Sequence, residues 1–203
     1  MLRKGLSGGV AAGFMVGIGG AIFLACDNRY IGAALFTIAL LTICSMGMNL
    51  FTGKVGYLVN SHKNEDYVTV LSALAGNIVG TALCALLVYL GRAEAAVTAR
   101  ALCEAKLAKP LLTALPSGML CGILMYVAVQ IYRTKNTYIG ILFCIPVFIL
   151  SGFEHSIADM FYFWLSGIYT LRTLAFIALV VIGNALGGWF LPALDKLAGG
   201  EKA

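Results

Sequence analysis

The sequence predicts an all-α integral membrane protein with six transmembrane helices, the second and fifth of them broken. Three observations carry that prediction. Hydrophobic residues make up 61% of the 203-residue chain and charged residues only 11%, with a mean hydropathy of +0.93, outside the range of a soluble domain. Six apolar segments can be drawn, and their charge-free runs repeatedly reach the ~20 residues that a helical span needs. Two of the six are interrupted by glycine and polar residues at corresponding places along the chain.

The first segment, roughly 5–26, follows Arg3 and Lys4 and has no small-residue cleavage site after it, so it reads as a retained helix rather than a signal peptide. The second, 30–51, runs into Asn49-Leu50-Phe51-Thr52-Gly53-Lys54 before an apolar restart at Val55. The third, 67–91, is followed by a long polar loop from Gly91 to Pro110, and the fourth covers 111–132. The fifth, 137–165, is broken at Ser151-Gly152-Phe153-Glu154-His155, and the sixth spans 171–194. Irregular backbone at membrane depth is tolerated where it is buried in protein or lines a cavity.

The breaks fall in the second span of each group of three, and other matches point to a duplication. Gly76-Asn77-Ile78-Val79-Gly80 is echoed by Gly183-Asn184-Ala185-Leu186-Gly187, and Gly9 and Gly13 by Gly118 and Gly122. One transmembrane domain, 1–203, therefore divides into halves of about 1–91 and 110–194 that three spans each force into opposite orientations, with a short cytoplasmic tail at 195–203. The paired glycines also suit close helix packing, whatever the function. Asn77 and Asn184 read as hydrogen-bond donors from helix to loop. With both termini cytoplasmic, inside loops hold Arg3, Lys4, Lys63, Arg133, Lys135, Lys196 and Lys202, against Arg29, Arg92, Arg100, Lys106, Lys109 and Arg172 outside. That is a narrow majority for the positive-inside rule.

Several function classes are excluded. The six cysteines are scattered singly, without a CxxC or metal-ligand spacing, and no basic-aromatic interleaving suggests nucleic acid. An integral membrane enzyme would need a nucleophile-base set or a metal cluster, whereas the chain has two histidines and His62 lies in a polar loop. No cofactor is implied. Ionisable residues inside the spans concentrate at Glu154, His155 and Asp159, and such residues mark solute or proton pathways.

Ser151-Gly152-Phe153-Glu154-His155-Ser156-Ile157-Ala158 resembles the broken-fifth-helix signature of the formate/nitrite transporter family of anion channels. Leu50-Phe51-Thr52 resembles its second-helix break, and Gly183-Asn184-Ala185-Leu186-Gly187-Gly188 its sixth-helix motif. The resemblance covers nearly the whole chain and implies an aquaporin-like inverted repeat, a homopentamer in a bacterial cytoplasmic membrane, and one pore per protomer. It implies that His155 is the central pore histidine, Thr52 its partner and Lys106 the basic residue of the outer vestibule, with Lys109 as competitor. Phe36, Leu40 and Phe148 would form the inner constriction, and Leu50, Phe51 and Met125 the outer one. Gly122 stands where that family commonly has asparagine, which suggests a wider central chamber, and Asp159 also replaces an asparagine. The first span begins almost at once, leaving no room for the N-terminal helix that gates some members.

A carboxylate cannot cross an apolar constriction cheaply, because desolvating an isolated anion costs tens of kcal/mol in the low-dielectric limit. Protonating an acid of pKa about 3.7 at pH 7 costs roughly 4–5 kcal/mol. The expected function is therefore a channel or proton-linked transporter for small monovalent anions, formate first, then nitrite, hydrosulfide, acetate or lactate, neutralised at His155. Imidazole titrates near neutrality, and a basic vestibule gathers anions. Glu154 is expected to orient the loop. Asp159, four residues beyond His155, would either meet the imidazolium on one helix face or bond loop amides. The alternative class is a neutral-solute channel, but no Asn-Pro-Ala pair occurs at the breaks.

Overall fold

The computed structural model describes residues 2–61 and 63–199; His62, Lys202 and the end of the C-terminal tail lie outside them. The described chain is helical, with no strand. Helices α1 (Leu2–Ala25), α4 (Asn64–Gly91), α6 (Ala114–Lys135) and α9 (Leu171–Leu197) are the long members. All four are long and apolar enough to cross a membrane by length and composition. The two interrupted segments appear as α2 (Arg29–Ser45) followed by α3 (Phe51–Lys54) and a 3-10 stretch (Val55–Asn60), and as α7 (Ile139–Leu150) followed by α8 (Ser156–Ser166). Large apolar side chains such as Leu35, Leu87, Leu142 and Phe190 remain exposed around the outside, the arrangement that suits lipid or a neighbouring subunit.

The stretch expected as a polar loop contains α5 (Ala95–Ala108). Its Ala99 and Cys103 are buried against the bundle, while Arg100 and Glu104 pair on the outer side at 3.1 Å. Its apolar face comes mostly from alanine, so hydropathy alone does not reveal it.

Local chemistry sets the ends. Asn28 Oδ1 accepts from the backbone N–H of Tyr30 and Ile31 and starts α2. Thr170 does the same for α9 through Thr173 N–H. Asn136, in left-handed geometry, closes α6 after Arg133 and Lys135, whose charges suit the negative end of the helix. Gly152, at φ +71°, makes the turn that ends α7.

The long helices pack in pairs, α1 on α4 and α6 on α9, through glycine-to-backbone contacts. A Cβ on Gly13 would lie 2.7 Å from Asn77 Cα, and one on Gly122 would lie 2.9 Å from Asn184 Cα. Gly122 thus packs on the α9 backbone, which overturns the inference that its missing side chain widens the central chamber. Gly122→Ala is expected to destabilise the bundle by about 1–3 kcal/mol through overpacking, read as a lowered unfolding temperature in detergent.

Candidate functional site

The two breaks meet at the centre of the bundle. Thr52 lies in the first turn of α3 and His155 caps the start of α8, and Thr52 Oγ1 stands 2.9 Å from His155 Nε2. His155 Nδ1 accepts from Ala158 N–H at 3.2 Å, so Nδ1 carries no proton in this arrangement. The network therefore assigns a neutral ring with its hydrogen on Nε2, donated to Thr52. Among the described residues Thr52 Oγ1 has no other partner, which leaves its own hydroxyl hydrogen as the free donor of the pair. The imidazole stacks on Phe148 with centroids 5.6 Å apart, and Phe148 meets Phe36 edge-to-face at 6.3 Å.

Each break hangs from a buried asparagine on the next long helix. Asn77 Oδ1 accepts from Phe51 N–H at 2.9 Å, while its Nδ2 donates to Gly9 O and Asn49 O. Asn184 Oδ1 accepts from Ser156 N–H at 2.9 Å, while its Nδ2 donates to Gly118 O and Glu154 O. The two amides satisfy backbone groups that the interruptions strip of helical partners. Further ties hold the second break. Ser117 Oγ accepts from Glu154 N–H, and Arg29 donates to the carbonyls of Ile149 and Leu150 at the end of α7.

Two cavities approach this centre. The larger, about 390 Å³, is lined by Lys106, Lys109, Arg29, Glu154 and Asp159 and by Phe36, Phe148 and His155. The smaller, about 190 Å³, is lined by Leu40, Leu50, Val129, Lys54 and Arg133. Lys106 comes from the last turn of α5, whose end Arg172 secures through the carbonyls of Leu107 and Lys109. Its Nζ forms ion pairs with Glu154 Oε2 and, at 2.9 Å, with Asp159 Oδ1.

From end to end this architecture matches the family model described as formate/nitrite transporter, over residues 2–197. The chain belongs to the formate/nitrite transporter family. The nitrite transporter NirC of Salmonella typhimurium is 29% identical over 204 residues, an alignment covering 87% of this chain and 76% of the relative. The Escherichia coli nitrite transporter NirC is similar to the same extent. A solved structure described as an FNT family ion channel superposes with a TM-score of 0.85 at 27% identity, covering 98% of this chain and 91% of its own. A pentameric formate channel with formate bound superposes with a TM-score of 0.83, covering 97% and 96%, and at 20% identity it speaks to the fold. These relatives are transporters and channels, so membership of the formate/nitrite transporter family places this chain among them and not among enzymes.

Several placements differ from those expected from the sequence. Phe36 and Phe148 line the same cavity as Lys106, whereas Leu40 and Leu50 line the opposite one. The grouping of Phe36, Leu40 and Phe148 as one inner constriction is therefore corrected. Phe36 and Leu40 are four residues apart on α2, about 6 Å along the axis, enough to put them on opposite sides of the central pair. Phe51 and Met125 are buried and line neither cavity. Among the described residues the Asp159 carboxylate bonds neither the imidazole nor loop amides; it faces Lys106. Glu154 supports the loop through its backbone, and its carboxylate pairs with Lys106. From the sequence, Arg29, Ser117, Lys54 and Arg133 have no role at the site, yet they line or brace it. The only signal was a lone charge or hydroxyl at the edge of an apolar run.

Proposed function

We propose that the chain conducts small monovalent anions, formate first among them, each losing its charge to a proton at the centre of the pore where His155 stands. What supports this reading is the Thr52–His155 pair, joined at 2.9 Å between two apolar narrows, Phe36 with Phe148 and Leu40 with Leu50. An anion entering from the Lys106 mouth meets Arg29, Lys106 and Lys109, which raise its local concentration. It then reaches the free hydroxyl hydrogen of Thr52, with the imidazole N–H behind it. The start of α8 adds a positive backbone end on the same side. A neutralised acid passes the phenylalanine and leucine side chains without the desolvation penalty of an ion.

Nitrite is the second reading, favoured by the nitrite transporters among the relatives. Hydrosulfide, acetate and lactate complete the solute panel. The assembly in this proposal is a homopentamer with a pore in each protomer, in a bacterial cytoplasmic membrane. Both termini are cytoplasmic, and the halves 1–91 and 110–194 are inserted with opposite orientation.

Purified protein in liposomes loaded with a pH dye tests it. Formate or nitrite should drive proton uptake with the anion, and solute flux indifferent to pH would return the neutral-solute channel. The smaller mouth offers a separate prediction. Lys54 and Arg133 line it without a carboxylate among the described residues, although Asp66 joins them in the adjoining cavity. Lys54→Thr is expected to raise the half-saturating anion concentration on that side about three- to tenfold at low ionic strength, and less at high salt.

A further inference from the structure

The Lys106 cluster holds two carboxylates against one ammonium. Glu154 and Asp159 both contact Lys106 Nζ, and the two residues are 4% and 1% exposed. Asp159 Oδ1 is bonded, but Asp159 Oδ2 is buried and has no hydrogen-bond partner among the described residues. The residue lines the larger cavity together with His155, Phe36 and Phe148. An ionised oxygen in that position would be a buried charge with no donor to stabilise it. A proton on Oδ2 removes the surplus charge and turns the oxygen into a donor. The titratable groups around Asp159 are Lys106 and Cys103 of α5, Cys121 of α6, and Glu154, His155 and Tyr162 of its own segment. Arg29 and Lys109 line the same cavity.

The histidine needs such a neighbour. A ring with one hydrogen on Nε2 and an amide N–H pointing at Nδ1 donates a hydrogen bond, but giving that hydrogen away outright would leave an imidazolate. We propose that Asp159 holds an exchangeable proton on Oδ2 and hands it to the anion entering from the Lys106 mouth. The inference rests on the reading that the solute crosses uncharged. In the step, the Oδ2–H bond breaks and a bond forms from that proton to an oxygen of the entering carboxylate. The electron pair stays on Asp159, where Lys106 Nζ at 2.9 Å stabilises it. A proton from the bulk solution, relayed through vestibule water, then returns to Oδ2. Thr52 and His155 hold the anion by hydrogen bonds while it takes that proton, and keep their own hydrogens.

Formate flux in proteoliposomes, measured from about pH 5 to about pH 7.5 for wild type and Asp159→Asn, tests the proposal. Asparagine keeps the size and an acceptor for Lys106. Flux near pH 5, where solution supplies more protonated acid, should stay within about threefold, while flux near pH 7.5 should fall about tenfold, equivalent to about one pK unit. Parallel pH profiles would overturn the proposal. Infrared difference spectra of the purified channel give a readout independent of transport. The carbonyl band of a protonated carboxyl group should appear in wild type, shift in deuterium oxide and vanish in Asp159→Asn. Its absence from wild type overturns the proposal whatever the flux shows, and decides the matter if the variant fails to fold. Wild-type liposomes without anion flux, but with the band present, would sink the transport reading while supporting the stored proton.

Discussion

Replacing Asn184 with leucine is expected to remove most of the folded channel from detergent extracts. The amide is fully buried and makes three hydrogen bonds, from Ser156 N–H and to Gly118 O and Glu154 O. Leucine has similar bulk but leaves those backbone groups without partners, and each buried unsatisfied group costs about 1–3 kcal/mol. The sum, on the order of 3–9 kcal/mol, is a large part of the 5–15 kcal/mol that typically holds a domain together. Thermal unfolding of Asn184→Leu and Asn77→Leu should show comparable losses, because Asn77 holds the first break through the equivalent set of bonds. An Asn184→Leu protein that melts with wild type would show that the second break stands without its brace.

Thr52→Val should do the opposite, leaving the fold intact and silencing the pore. Valine matches threonine in shape, and among the described residues the buried hydroxyl bonds only His155 Nε2, so the change leaves a single buried donor unpaired, about 1–3 kcal/mol of stability. An anion at the centre loses a partner as well. The free hydroxyl hydrogen disappears, and a hydrogen bond to a charged partner is worth about 1.5–3 kcal/mol, or roughly 10- to 100-fold in rate. Formate-driven flux should drop by that factor, and Thr52→Ser, which keeps the hydroxyl, should restore most of it. A Thr52→Val channel as fast as wild type would remove the hydroxyl from the conduction path.

The six apolar segments and both interruptions were legible in the sequence because membrane helices are read by length and polarity, and Asn, Thr and Gly are conspicuous inside such runs. Asn77 and Asn184 stood out for the same reason, since a buried amide beside a broken helix has backbone groups to satisfy. The meeting of Lys106 with Glu154 and Asp159 was not legible. It joins residues 48 and 53 positions apart through α5, a helix whose alanine-rich face gives little hydropathic contrast. Nor could hydropathy sort the constriction residues, because Phe36 and Leu40 occupy one face of one helix and only the depth of the central pair divides them. Gly122 shows the same limit. Its small size was plain, but whether the space belonged to the pore or to α9 depends on a helix rotation that the sequence leaves open.

The central contact has one more consequence. Thr52 is suspended from α4 through Asn77 and His155 from α9 through Asn184, so their bond spans two separately anchored helix pairs. A hydrogen bond weakens steeply once its atoms part by more than a few tenths of an ångström. The nitrogen-15 chemical shifts of the imidazole therefore form an internal ruler. They report, in a single spectrum, whether detergent, lipid thickness or a distant mutation has slid one pair of helices past the other.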